Sequence, residues 1–463
     1  MQGRLLLSAL LASAAASSAR AQTQTSPTTQ PASPELQQML QRLDRLEEQN
    51  RALMSEIRAL REELVSKSSP APPAVETAAD LDERVEVQEQ RTAQLDQEKI
   101  STDHKLPLTL TGMLLFNSFW TGKGGGGAEN PTIAPLASGP VDAGGTLRQS
   151  ILGIKFDGPQ IFDGGKITGS AYADFYGGTG ASLDQLMRLR VASLNAIWKK
   201  TTVTLALDKP IIAPREPDSL AQVGISPLTS AGNLWLWRPQ IKVERRFQFG
   251  DQAGLHAQAG VYETSESGTG VTTSGYGSSE YGNSLAPARP GYEGRFEFWK
   301  ASGENRRIEI APGFHFSSSR ILGESVPSQI FSVDWLVRPF RWLDFTGTFF
   351  QGENVGVVGG LPQSITIVDY QARSVGVTGG WAQVKLRMTQ RLSMNIFGGQ
   401  EDDRNSDLLA GEIGKNQIYA GNLMYRLGSN IVAAFESSQT RTTYLGSGTR
   451  IFPHYDLTVA YLF

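Results

Sequence analysis

Arg188 and Arg190 flank a single leucine. In an extended chain successive side chains point to opposite faces, so the two guanidinium groups would share one face, within about 7 Å of each other. Two planar, permanently charged forks at that spacing could hold a carboxylate or phosphate bidentately. The same facing parity elsewhere in the chain adds Arg148, Arg238, Lys242, Arg246, Arg307, Arg338, Lys385 and Arg387. Acids share those faces: Asp174, Asp208, Glu244, Glu293, Glu297, Glu309, Asp334, Asp344 and Glu436. They could instead pair with the arginines and brace a wall. A second group, Arg215, Glu216 and Asp218, sits in the stretch 209–232 beside Pro210, Pro214, Pro217 and Pro227. Proline stiffens such a segment. Its mixed charges either line a constriction or lie on a surface as ordinary loop charges.

Other chemistries find little support. The chain has no cysteine, which removes disulfides, thiol nucleophiles and thiolate metal sites. His104, His256, His315 and His454 are dispersed, without an H-x-x-x-H or H-E-x-x-H spacing. No G-x-S-x-G surrounds a serine, and Gly122-Lys123-Gly124 lacks the rest of a phosphate-binding loop. The reading is therefore of a protein that is not an enzyme and needs no cofactor or metal. A formal charge of −3 gives no reason to expect a nucleic-acid partner. Beyond residue 103 the basic and acidic residues number 32 and 30, too even a balance to fix the sign of a preferred ion.

The elements that must position these residues are strands. From residue 106 the apolar pattern has period two, with Leu108, Leu110, Leu114 and Phe116 opposed to Thr109, Thr111 and Asn117. The spacing predicts strands over 106–120, 148–157, 166–176, 187–198, 201–208, 233–249, 254–264 and 292–300. It continues with 307–318, 328–338, 342–351, 374–388, 392–400, 416–426, 430–440 and 454–463. Long connections (121–146, 177–186, 209–232, 265–291, 319–327, 352–373, 401–415, 441–453) alternate with short ones such as 199–200 and 427–429. Sixteen is the even count that a closed antiparallel membrane barrel requires. Lengths near ten residues suit a tilted span, whereas soluble strands average about 5–6. Aromatics near strand ends, among them Trp120, Trp198, Trp235, Trp237, Trp299, Trp335 and Trp342, fit two interfacial girdles. A bulge is expected to shift the register around 192–195 and within 416–426. The fold class read here is an all-β transmembrane barrel of 16 antiparallel strands over 106–463, preceded by an N-terminal α-helical coiled coil. Sixteen strands leave an aqueous channel, so a pore is the default function.

The front of the chain has its own organisation. Residues 1–21 read as a secretory signal peptide, with Arg4, an apolar core and Ala19-Arg20-Ala21 as a small-x-small cleavage site. A polar leader follows over 22–34. Over 35–65 Leu36, Leu43, Asn50, Ile57 and Leu64 recur every seven residues, and Met39, Leu46, Leu53 and Leu60 recur on the interleaved register. That is the a/d seam of a coiled coil, which would oligomerise the chain. Asn50 at an a position leans towards dimers, while leucine at both a and d specifies weakly, so the heptad leaves the oligomeric order open. A Pro/Ala linker over 66–79 and a short helical segment over 80–103 complete the N-terminal part. Because the first strand starts on the short-turn side, the coiled coil is expected in the periplasm.

Two resemblances carry the functional reading. The last strand, His454 to Phe463, alternates greasy and polar residues and stops on an aromatic, and it resembles the closing strand of bacterial outer-membrane barrels. The run Ser226-Pro227-Leu228 through Gly232-Asn233-Leu234-Trp235 to Arg238-Pro239-Gln240-Ile241, with Arg188-Leu189-Arg190 upstream, resembles the DcaP-like dicarboxylate porins. More loosely, the chain resembles the phosphate-selective porin O/P group. In general porins the third loop folds into the lumen, which by that resemblance makes Arg215, Glu216 and Asp218 eyelet candidates. The resemblance implies a homotrimer in the bacterial outer membrane, with lipid around it. It also implies passive diffusion of small hydrophilic solutes, anions such as dicarboxylates or phosphate foremost, past Arg148, Arg188, Arg190, Arg238, Lys242 and Arg246. The alternative is an outer-membrane anchor whose coiled coil tethers the cell wall.

Overall fold

A computed structural model describes residues 100–101, 107–126, 129–177, 185–263, 271–273, 290–303, 306–321 and 324–463. The signal peptide, the leader, the coiled coil with its seam from Leu36 to Leu64, and the linker lie outside the described residues. So does the helical segment expected over 80–103, except at Ile100–Ser101, which pair as a short strand rather than continue a helix.

Sixteen strands form one sheet. They are β1 (Leu108–Thr121), β2 (Asp142–Thr146 and Ile151–Ile161), β3 (Gly165–Gly177), β4 (Leu186–Ile197), β5 (Thr201–Asp208), β6 (Arg238–Gln248), β7 (Ala253–Tyr262) and β8 (Gly291–Ala301). The second half comprises β9 (Arg307–Ile321), β10 (Glu324–Phe340), β11 (Leu343–Glu353), β12 (Gly376–Arg387), β13 (Leu392–Asp403), β14 (Ile413–Arg426), β15 (Ile431–Tyr444) and β16 (Gly448–Leu462). Each pairs antiparallel with the next, and β16 returns to β1 from Met113↔Leu462 to Thr121↔His454. Closure satisfies every interior strand edge, which is what a sheet in hydrocarbon needs. The outer face is apolar: Leu110, Leu114 and Phe116 on β1, Ile241 and Val243 on β6, and Leu457, Val459 and Tyr461 on β16 are all exposed. Their neighbours Thr111, Asn117, Asp456 and Thr458 are buried inside.

The departures from the expected strands have local causes. β2 is not continuous over 148–157. It breaks at Leu147–Ser150, where the Ser150 N–H bonds back to the Leu147 carbonyl at 3.0 Å. β6 starts at Arg238, not Asn233, so Trp235 and Trp237 belong to the preceding loop although they alternate like a strand. Two of the eight long connections are short, because β9 and β10 run on to Ile321 and from Glu324, and β15 and β16 turn at 445–447. The register shift foreseen near 192–195 is a bulge at Arg190: Tyr172 pairs with Val191 and Ala173 with Leu189. In β14 the shift falls at Gly414, before the suspected stretch.

Aromatic rings cover several outward glycines. Trp335 of β10 lies across Gly347 of β11, and Phe314 of β9 lies across Gly294 of β8. A strand glycine lacks a side chain to pack, and a cross-strand ring supplies the missing surface. Gly347→Val should displace Trp335 and lower stability by about 1–3 kcal/mol, as overpacking does. Urea titration of the barrel in detergent micelles, followed by tryptophan fluorescence, would read the change.

Candidate functional site

The lumen is occupied by loops. Loop 3 (209–237), between β5 and β6, carries a long buried run that includes Ile211, Ile212, Ala213, Leu220, Ala221 and Leu234. Backbone taken out of water must still find hydrogen-bond partners, and the wall provides them. Ile211 N–H donates to Glu293 of β8 (2.5 Å), and Ser332 of β10 donates to the Ile212 carbonyl (3.0 Å). Asp218 N–H donates to Gln383 of β12 (2.7 Å), and Asn422 of β14 donates to the Asp218 carbonyl (2.8 Å). Asn416 of β14 donates to the carbonyls of Ser230 (2.8 Å) and, in loop 1 (122–141), Thr132 (2.9 Å).

One stretch, Ala221–Gly224, is held from two sides. Gln149 stands in the break of β2. It donates to the Ala221 carbonyl (2.8 Å) and accepts from the N–H groups of Val223 (2.7 Å) and Gly224 (2.8 Å). Arg190, at the bulge of β4, donates to the Val223 carbonyl (2.6 Å), and Arg188 donates to that of Gly224. Both wall irregularities thus face the same four loop residues. Apolar contacts complete the seat: Leu220 and Val223 pack on Met113, Leu115, Val432, Ala434 and Leu462. This explains why part of the inner face of β1, β15 and β16 is greasy. Loop 6 (354–375) also turns inward, with Tyr262 of β7 donating to the Val357 carbonyl (2.9 Å). Its Ile365–Val368 and Gln371–Ser374 form a small sheet with Val271–Thr273, from the connection between β7 and β8.

The candidate residues therefore divide. Arg188 and Arg190 face inward, yet both converge on Asp174 of β3, a carboxylate with no exposure. Arg188 meets it through two bonds (2.8 and 3.1 Å) and Arg190 through one (3.1 Å). Their guanidiniums also lie over the Trp237 ring, at 5.2 and 4.8 Å. Of the two roles open to them, this geometry is bracing. Arg148 is not on a strand; it lies buried in the β2 break, bound to Glu129 at 3.3 Å and stacked over Tyr176. Burial pushes the Glu129 carboxyl above its ordinary pKa, and Arg148 pulls it back only in part. Arg215 is enclosed by Asp334 (2.7 Å), Glu309 and Glu297 (3.5 Å). Burial works against its charge, but those carboxylates outweigh burial and hold the guanidinium pKa above its ordinary value. Glu216 pairs with Lys209 (2.8 Å) and Ser226, and Asp218 with Gln383.

The three β6 residues differ. Arg238, Lys242 and Arg246 lie four residues apart on the inner parity, each with some exposure. Lys242 meets Glu244 at 3.2 Å, and Arg246 pairs in register with His256. Among the described residues no group of three or more metal-ligating side chains comes together. The residues that hold the loops, Gln149, Gln383, Asn416 and Asn422, carried no signal in the sequence, since any barrel places amides inside. Removing Asp174 would leave the buried guanidinium of Arg190 and the half-buried one of Arg188 without their carboxylate. Asp174→Ala should cost about 3–5 kcal/mol and expose loop 3 to trypsin at Arg215; intact loop 3 on digestion of the purified barrel would contradict this.

Neither the protein-family models nor the curated proteins give a match to this sequence. Solved structures do. The crystal structure of the outer membrane channel DcaP of Acinetobacter baumannii aligns with a TM-score of 0.60 at 13% identity, over 79% of this chain and 100% of that one. An anion-selective porin from Comamonas acidovorans aligns with a TM-score of 0.53 at 11% identity, over 77% and 99%. The closed antiparallel sheet of 16 strands accordingly shares the fold of these two outer-membrane proteins.

Proposed function

We propose that this chain is a passive diffusion channel of the bacterial outer membrane. It passes small hydrophilic solutes and favours anions such as dicarboxylates or phosphate. In this reading it works as a homotrimer, surrounded by outer-membrane lipid, with the coiled coil over 35–65 standing in the periplasm. The observation that carries the proposal is the column Arg238, Lys242 and Arg246 on β6, which keeps solvent access while the inward acids of β13–β16 are buried. Charge near water at the wall acts on passing ions, and a low-dielectric wall focuses it. The near-balance of charge in the barrel as a whole then matters less than which charges the loops leave uncovered. A porin described as anion-selective has the same fold, and the uncovered column supplies this chain with a physical reason for that preference.

The test is conductance of the purified protein in planar bilayers, with the reversal potential measured across a salt gradient. Three equal conductance steps and an anion-favouring potential are expected. Replacing Arg238, Lys242 and Arg246 together by Gln should lower the anion preference by roughly tenfold at low salt, and by less at high salt as screening shortens. A folded barrel that does not conduct would overturn the reading. Replacing Arg188 and Arg190 instead should act mainly on loop 3, because both are engaged with Asp174.

A further inference from the structure

Charge is unevenly divided around the wall. The inner faces of β13–β16 carry Glu401, Asp403, Glu436 and Asp456, none more than 4% exposed. Away from the strand ends these faces carry no lysine or arginine. On β8–β11, Glu297, Glu309, Asp334 and Asp344 are each met by an arginine, and Glu293 by His315. On β13–β16 Asp456 meets His454 at 3.1 Å, while Glu401, Asp403 and Glu436 are kept from water by burial and neutral donors rather than by an arginine or lysine of the wall.

Loops 3 and 6 lie over that side, and they meet beside Glu401. The Leu361 N–H of loop 6 donates to Glu401 Oε1 at 2.6 Å. Gly232 of loop 3 has φ +97, and a Cβ there would stand 2.6 Å from the Gln400 carbonyl, so loop 3 rests its bare backbone on the wall beside Glu401. Gln363 of loop 6 reaches Asp403 at 3.4 Å, and Gln222 of loop 3 reaches Glu436 at 3.5 Å. Each loop thus covers acids of the same sector, and both reach the wall at adjacent residues, loop 6 at Glu401 and loop 3 at Gln400.

We propose that Glu401 is a positioning residue that determines ion preference: it holds loops 3 and 6 together over the acidic sector and so keeps the wall carboxyls out of the ion path. The inference rests on the reading of the chain as an anion-favouring pore. The Debye length at 0.1 M salt is about 10 Å, so a carboxylate uncovered on that wall would act on ions passing within that range. Losing the cover should therefore change the sign of preference as well as the size of the opening.

The experiment compares reversal potentials of the native protein, Glu401→Gln and Glu401→Ala in planar bilayers, each in potassium chloride. Glutamine retains an acceptor for the Leu361 N–H and should keep more of the native anion preference. Alanine loses the acceptor; conductance should rise and the reversal potential should cross towards cations. Adding Asp403→Asn, Glu436→Gln and Asp456→Asn to Glu401→Ala should bring the potential back while conductance stays high. A merely structural role for Glu401 would not give that split. If Glu401→Ala does not fold, Gly232→Val serves, since its side chain would lift loop 3 with Glu401 intact; the same cation-ward shift is expected. A conducting Glu401→Ala or Gly232→Val with the native reversal potential overturns the inference and leaves the pore reading standing. A native protein that conducts with no anion preference overturns both.

Discussion

A polar group of the backbone that leaves water must find another partner, and this requirement organises the barrel from wall to lumen. In the wall it is met by closure, with β16 paired to β1 and no edge left over. In the lumen it is met by side chains. Loop 3 enters a space where its amides and carbonyls would otherwise be orphaned, and amide side chains from β2, β12 and β14 take them up one by one. An amide side chain suits this task because it both donates and accepts; Gln149 does both, donating to the Ala221 carbonyl and accepting from the N–H groups of Val223 and Gly224.

The same requirement applies to charge. Burying an ion is costly unless it is paired and hydrogen-bonded. The wall of β8–β10 resolves this by interleaving, so that Arg215 from the loop and Arg295 from β8 share Asp334, whose two oxygens both accept from Arg295. Such a network is a poor source of net stability, but it is highly directional. It fixes where the stiff Pro214–Pro217 segment can lie. On β13–β16 the solution is different: the acids accept from loop amides and wall asparagines, as Glu436 does from Asn422 (2.9 Å). One side of the lumen is held by arginine ion pairs and the other mainly by amide donors, with His454 beside Asp456.

Much of the wall was legible in the sequence because its two faces differ in polarity. An apolar outer face and a polar inner face impose a strict alternation, so Leu110, Leu114 and Phe116 could be separated from Thr111 and Asn117 by spacing alone. The number of strands followed, and β5 was bounded correctly at both ends. The destination of the loops was less legible. Arg215, Glu216 and Asp218 were identifiable as a group, but Asp334 and Gln383 could not be paired with Arg215 and Asp218, because nothing local links a loop residue to a strand more than a hundred positions away. Trp235 and Trp237 misled for a related reason: alternate aromatics read as a strand, yet here they pack edge-on to each other at 5.3 Å beside the arginines. The break at Leu147–Ser150 was hidden because Arg148, Gln149 and Ser150 look like any polar strand end.

The tight turn at 445–447 has an implication for how the molecule can be altered. β15 and β16 join through a turn in which Leu445 exchanges backbone hydrogen bonds with Gly411 and Glu412, whereas Gly446 and Gly448 have open space around them. Loops 1, 3 and 6 are knotted to the wall and to one another, with a single asparagine, Asn416, serving two of them. An inserted peptide, affinity handle or displayed epitope placed in those loops would have to unpick the lining, whereas between Gly446 and Gly448 it would enter open space beyond the Leu445 hydrogen bonds. The barrel thus separates the part of its rim that can be written on from the part that cannot.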